Sequence, residues 1–184
     1  MSLTKTPVCN FGEKAKDFEL FSTKNKKISL IDIKGEKGTL IMFICNHCPY
    51  VKAIIKNISN EAVYLKTLGI NSVAIMSNDV INYPEDSFIN MKSFSDLNNF
   101  SFPYLYDETQ AVAKKYGAVC TPDFFGYNKN LELQYRGRFK ELKDLKAISD
   151  HDSDLRVAMK EISISGIGPK DQIPSMGCNI KWFK

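Results

Sequence analysis

Cys45-Asn46-His47-Cys48-Pro49 puts two thiols and an imidazole within five consecutive residues, at a point where the hydrophobic pattern of the chain changes period. Before it, Thr39-Leu40-Ile41-Met42-Phe43-Ile44-Cys45 is a nearly continuous apolar run of strand length, as expected of a strand covered on both faces. After it, Val51, Ile54, Ile55, Ile58, Ala62, Leu65 and Leu68 recur every three or four residues until Gly69 closes the segment, the mark of a long amphipathic helix. The cysteines therefore stand where a buried strand runs into a helix N-terminus. Unpaired backbone N–H groups and the helix dipole favour an anion there, so a first-turn thiol has its pKa lowered and is nucleophilic at neutral pH. A protonated His47 adds to that effect.

Proline chemistry discriminates between the two thiols. Pro49 has no N–H to give, so it fits best as the first helical residue with Cys48 as N-cap; a turn later it would delete a helix bond and crowd the preceding turn. That favours Cys48 as the nucleophile over Cys45. A disulfide needs Cα atoms about 4.4–6.8 Å apart, whereas three extended residues span about 10 Å, so Cys45 pairs with Cys48 only if Asn46-His47 turns. Soft thiolate and imidazole ligands from Cys45, His47 and Cys48, with Cys120 or Cys178, would suit zinc or copper. Against a metal, those three ligands are crowded into four residues and no second C-x-x-C or H-x-x-H follows, so no metal or other cofactor is expected. His151, among Asp150, Asp152 and Asp154, reads as part of a solvated helix N-cap, and Cys9 as incidental.

The elements that must position these residues are legible in outline. Phe18 with Leu20, and Ile28 with Leu30, flank a turn-prone Ser22-Thr23-Lys24-Asn25-Lys26 and predict a hairpin ahead of the main fold. Residues 70–76 predict a second buried strand. A helix is expected from Pro84 to about Leu97, and a short one through Tyr116 opened by a capping-box-like Asp107 and Gln110 and stopped by Gly117. Phe124-Phe125-Gly126-Tyr127 and Leu131 to Arg136 form an antiparallel hairpin around Asn128-Lys129-Asn130. Leu155, Ala158, Met159 and Ile162 mark a last helix ending before Gly166, and residues 1–11 and 165–184 read as irregular tails. The order implies an α/β domain, a mixed sheet flanked by helices, whose ligands meet the strand C-terminal ends where the cysteines sit.

Composition bounds the alternatives. The 184 residues (20.9 kDa), 43% hydrophobic and 25% charged, suit one domain spanning 1–184 rather than a disordered chain. Twenty-five Lys and Arg against 21 Asp and Glu give a charge of +4, but no basic stripe interleaved with aromatics suggests a nucleic-acid partner. No apolar run approaches the roughly 18 residues of a membrane span. The first ten residues have no basic segment followed by an apolar stretch, so a cytoplasmic location is expected. Five cysteines, an odd number in a chain long enough to fold without staples, argue against a structural disulfide framework.

A C-x-x-C opening a helix after a buried strand, with Thr121-Pro122 some 70 residues later and preceding a hairpin, resembles the thioredoxin superfamily. Gly12-Glu13-Lys14-Ala15-Lys16-Asp17-Phe18-Glu19-Leu20 is similar to the opening of its alkyl hydroperoxide reductase/thiol-specific antioxidant (AhpC/TSA) branch. Asn46 to Val51, Cys120-Thr121-Pro122-Asp123 and Gly177 to Trp182 resemble a peroxiredoxin-like group within it. The resemblance implies a thioredoxin-like fold with an N-terminal β-hairpin extension and a cis Pro122 facing the active cysteines. It also implies that Thr121 and Pro122, with His47 and Pro49, meet the substrate. Two registers remain open: Cys45 attacks and Cys48 resolves, or Cys48 attacks with Cys45 upstream. Cys120, bordering the reactive thiol, is a rival resolving residue, and Cys178 reaches the site if the tail folds back. Thiol-disulfide exchange is the first expectation, with a disulfide or peroxide substrate and an external thiol reductant. Peroxide reduction is second, because peroxiredoxin sites place a threonine three residues before the peroxidatic cysteine, here Cys45, and an arginine on a later strand, for which only Arg136 and Arg138 offer themselves.

Overall fold

A computed structural model describes residues 3–147 and 151–184. Residues 1 and 2 of the N-terminal segment, and Asp150 beside His151, lie outside the described residues. In chain order the strands are β1 (Leu3–Lys5), β2 (Glu19–Ser22), β3 (Lys27–Ser29), β4 (Gly38–Phe43), β5 (Ile70–Met76), β6 (Tyr104–Tyr106), β7 (Cys120–Thr121), β8 (Asp123–Asn128), β9 (Leu133–Gly137), β10 (Leu142–Lys143), β11 (Lys146–Ala147) and β12 (Met176–Asn179). The helices are α1 (Pro49–Thr67), α2 (Phe88–Leu97), α3 (Ala111–Tyr116) and α4 (Asp154–Ser165). None of these is long and apolar enough to cross a membrane.

A seven-stranded mixed sheet of order β3-β2-β6-β5-β4-β8-β9 carries the fold. β4 lies inside it, parallel to β5 and antiparallel to β8, so its side chains meet a core on each face. Leu40, Met42 and Ile44 enter one cluster with Val51, Ile54 and Ile58 of α1, Met91 of α2 and Leu155, Met159 and Ile162 of α4. Ile41 and Phe43 enter the other, with Val112, Ala113 and Tyr116 of α3. The period-2 alternation of a strand, with both sets of positions apolar, is what makes the run continuous. The result is a thioredoxin-like α/β fold.

Several elements depart from the sequence expectations, each for a local reason. The β2–β3 hairpin is present but joins the main sheet, because β2 pairs with β6. β6 has no sequence forecast: three residues after Pro103 are too few to show a period. Pro84–Asp86 forms a separate 3-10 turn, and the chain is extended at Ser87 (φ −55°, ψ 155°) before α2 begins. Asp107 does cap α3, but from outside it: its carboxylate accepts from the Val112 and Ala113 amides at 3.2 and 2.9 Å and from Ser77 Oγ at 2.9 Å. Ser153, not His151, caps α4, its Oγ accepting from the Arg156 amide at 3.0 Å.

Neither tail is irregular throughout. β1 and β12 pair antiparallel, and β12 pairs on its other side with β7, making a three-stranded sheet of order β1-β12-β7. Gln110 locks the end of the chain. Held in the left-handed region (φ 61°) and fully buried, it donates through Nε2 to the Ser77 and Lys181 carbonyls, both at 2.8 Å, and accepts from the Phe183 amide at 2.9 Å. Asn78 Oδ1 accepts from the Lys181 amide at 2.9 Å, and the Lys181 carbonyl also accepts from the Asp79 amide at 2.8 Å. Gln110→Ala leaves these buried groups with fewer partners and is expected to cost about 1–3 kcal/mol in denaturant unfolding. Hydrogen-exchange protection at Lys181 and Phe183 should fall with it; unchanged protection would show that the tail is held elsewhere.

Candidate active site

The chain leaves β4 through Ile44 and Cys45, bends at Asn46 and His47, and enters α1 with Cys48 as N-cap (φ −63°, ψ 123°) and Pro49 in the first turn. The bend is organised by Asp86, whose side chain is fully buried. Asp86 Oδ1 accepts from the backbone amides of Asn46 at 2.8 Å and His47 at 3.3 Å. Its Oδ2 accepts from Asn78 Nδ2 and from His47 Nδ1, both at 2.7 Å; a carboxylate only accepts, so Nδ1 carries the hydrogen. Asn46 adds its own bridges, donating to the Glu85 carbonyl at 3.0 Å and accepting from Tyr104 Oη at 3.0 Å. His47 stacks on Tyr83 with ring centroids 5.6 Å apart, and the Asp86 hydrogen bond raises its pKa. The turn at Asn46-His47 that a Cys45–Cys48 approach requires is therefore made, and His47 faces Asp86 and Tyr83 while Asp86 governs the loop. Sequence reasoning missed Asp86, which lies 40 residues away in a polar stretch with no motif to mark it.

Three thiols converge. Cys48 Sγ lies 3.1 Å from Cys178 Sγ and 3.2 Å from the Thr121 carbonyl oxygen, while Cys45 Sγ lies 3.3 Å from Thr121 Oγ1. Cys45, Cys48 and Cys178 are all buried, Cys48 completely (0% exposed). As a thiol, Cys48 has the Thr121 carbonyl as an acceptor. As a thiolate it accepts from the S–H groups of Cys45 and Cys178, and the amides of Val51 and Cys178 add to the pull, without a formed side-chain cap bond. The Cys45 donor is the largest of these effects, and together they outweigh burial and bring the Cys48 pKa down to about 5. Burial and donation to Cys48 push the other two thiols the opposite way, Cys178 to about 12 and Cys45 well above its ordinary value. The negative charge is thus assigned to one sulfur of the three.

Thr121-Pro122 is a cis peptide, as the resemblance implies. Its backbone edge, expected to face a substrate, is paired with the chain's own β12, Thr121 opposite Cys178 and Cys120 opposite Asn179. Gly177 permits this approach: a Cβ there would lie 2.1 Å from the Thr121 carbonyl oxygen. Cys120 is not part of the thiol cluster. Side chains alternate along a strand, so with Thr121 turned to Cys45, Cys120 turns away, its thiol 3.7 Å from the Pro122 carbonyl and its pKa raised by burial.

The sequence pattern of the AhpC/TSA family matches residues 11–139. The chain belongs to that family. An uncharacterized conserved protein from Geobacillus kaustophilus has a solved structure 39% identical, covering 100% of this chain and 97% of that one, with a TM-score of 0.94. A hypothetical protein from Sinorhizobium meliloti 1021 is 34% identical, covering 98% of each chain at a TM-score of 0.93. A peroxidoxin from Mycobacterium tuberculosis shares the fold at 15% identity, covering 86% of this chain and 93% of its own (TM-score 0.59). No curated protein matches the sequence. The family and fold are those of thioredoxin-like redox proteins.

For an AhpC/TSA protein, the surroundings of Cys48 are short of polarising donors for a peroxide. The position three residues earlier is Cys45, a poor substitute for a hydroxyl. Arg136 is committed to Asp123 at 2.9 Å and to the Gly117 carbonyl at 2.7 Å, and Arg138 to Asp154 and Glu141. Cys45, His47 and Asp86 do place ligand atoms within 4.8 Å of one another. Asp86, however, already accepts four hydrogens in that network, and a cation would have to displace them. The thiolate assignment has a direct readout. Ultraviolet thiolate absorbance should appear as pH rises through about 5 and stay flat to pH 8. Cys48→Ser should remove that step and Cys45→Ala should move it to higher pH, by loss of its main donor; a midpoint above pH 8 in the parent protein would refute the assignment.

Proposed function

We propose that the protein is a thiol-disulfide oxidoreductase whose nucleophile is Cys48. The observation that carries this reading is the Cys48 sulfur at the start of α1, 3.1 Å from the Cys178 sulfur and beside the Cys45 thiol, neighbours whose hydrogen bonds favour its thiolate. Cys48 S⁻ attacks one sulfur of a disulfide, forms a mixed disulfide with it and expels the other half as a thiolate. A second thiol then releases the bound half, and an external thiol reductant returns the protein to its starting form. Pro49 starts the helix without an N–H of its own, His47 keeps the bend in register with Asp86, and Thr121 with Pro122 offers a short backbone edge along which an extended substrate can lie.

Entry to that edge requires β12 to separate from β7, a ladder of two residue pairs. A cleft of about 220 Å³ lies beside it, lined among others by Tyr50, Pro122, Ser175 and Met176, and supplies the approach. Lys5 and Lys140 also line it, beside an Arg138 already paired with Asp154 and Glu141, and the two lysines suit a disulfide bearing carboxylates over a cationic one.

Peroxide reduction is the second reading, favoured by the family and by the enclosure of Cys48, which admits a small oxidant more easily than a protein disulfide. The two are separated by following thiol consumption with an aromatic disulfide and, separately, with hydrogen peroxide. Cys48→Ser is expected to bring disulfide reduction to the uncatalysed background, while Cys45→Ser keeps it within about tenfold. Peroxide turnover much faster than disulfide turnover would favour the second reading. Full activity in Cys48→Ser would overturn both.

A further inference from the structure

We propose that Cys178, delivered by β12, is the resolving thiol, so that the catalytic cycle passes through an intramolecular Cys48–Cys178 disulfide. This rests on Cys48 being the nucleophile. The two sulfurs stand 3.1 Å apart, so an approach of about 1 Å gives a disulfide bond length. Their register is built rather than incidental. Cys178 lies opposite Thr121 on one side and Leu3 on the other, Gly177 lets the β12 backbone meet the Thr121 carbonyl, and the clamps on Lys181 and Phe183 fix the segment that follows.

β12 occupies the edge where an extended substrate would pair, so substrate and Cys178 compete for one place. A disulfide that reacts with Cys48 lifts β12 from β7. When β12 returns to its register, the Cys178 sulfur comes back onto the Cys48 sulfur, now bonded to the substrate. Cys178 S⁻ attacks that sulfur, the Cys48–substrate bond breaks, and the departing thiolate takes up the proton Cys178 has lost. Two electrons have then passed from the Cys48/Cys178 pair to the substrate disulfide. An external dithiol reduces the resulting bond by two successive exchanges and is itself oxidised.

Charge favours Cys178 over Cys45 in this step. Burial comes first in holding Cys178 protonated, and its hydrogen bond to the Cys48 thiolate and the charge of that thiolate come next; these last two disappear once Cys48 is in a mixed disulfide. Lys181 then favours the Cys178 anion, whereas Cys45 still faces the Asp86 carboxylate, which disfavours its own.

The test is non-reducing peptide mapping of the full-length protein after one equivalent of glutathione disulfide. The expected product in the parent protein and in Cys45→Ser is a Cys48–Cys178 linked peptide pair. Cys178→Ser should instead accumulate glutathione on Cys48, with release slowed at least about tenfold at sub-millimolar external thiol, because the internal competitor is gone. Gly177→Ala, which keeps Cys178 but drives β12 off the Thr121 carbonyl, should show faster first attack on Cys48 and slower closure of the internal bond. A Cys45–Cys48 or Cys48–Cys120 bond in the parent protein would overturn this inference and leave Cys48 as the nucleophile. Absence of any Cys48 adduct or disulfide would overturn both.

Discussion

A buried carboxylate sets the geometry on which the site depends. Asp86 has no exposed side-chain surface, and a charge in that position costs several kcal/mol unless its lone pairs are met. They are met by two backbone amides of the loop before α1, by the His47 ring and by Asn78. In the loop conformation that satisfies this acceptor, Cys45 and Cys48 both turn toward Thr121. Removing the carboxylate would leave its donors orphaned and the loop without a reason to bend.

The charge on Cys48 is the second consequence of enclosure. Burial alone raises a thiol pKa, and for Cys45, Cys120 and Cys178 it is the largest effect. Cys48 escapes because its neighbours are themselves reluctant to ionise and donate to it instead. The same arrangement explains why one thiolate can exist in a site from which water is excluded: the donors that replace water are S–H and N–H groups already fixed by the fold. A change of charge on Cys48 therefore alters the hydrogen bonding of all three sulfurs at once.

The C-terminal segment belongs to the site as much as the helix does. β12 is sandwiched between β1 and β7 and is followed by a run clamped by Asn78, Asp79 and Gln110. Asn78 donates to Asp86 and accepts from Lys181, so one side chain ties the active loop to the tail. Gln110 adopts a left-handed backbone in a buried position, an uncommon conformation for a residue with a Cβ, and it is the residue whose side chain holds three backbone groups there.

Local physics wrote the central elements into the sequence. The apolar run of β4, the helical repeat of α1 and the ring of Pro49 each act within a few residues, and they suffice to put Cys48 at a helix start in an α/β domain; the thioredoxin-like fold was implied by the resemblance that the C-x-x-C and Thr121-Pro122 carry. Gly117 and Gly166, both left-handed, end their helices as their backbone freedom allows. What lay beyond the sequence are contacts between residues far apart along the chain. The meeting of Cys48 with Cys178 spans 130 positions and that of His47 with Asp86 spans 39. β6 and β12 are three and four residues long, too short for a hydrophobic period to register, and each exists because a neighbouring strand offers an edge. A polar residue such as Asp86 carries no pattern announcing that it will be buried. Its role follows only from the donors that folding brings to it, which is why the position of Cys48 at a helix start was legible in the sequence and its surroundings were decided by the tertiary structure.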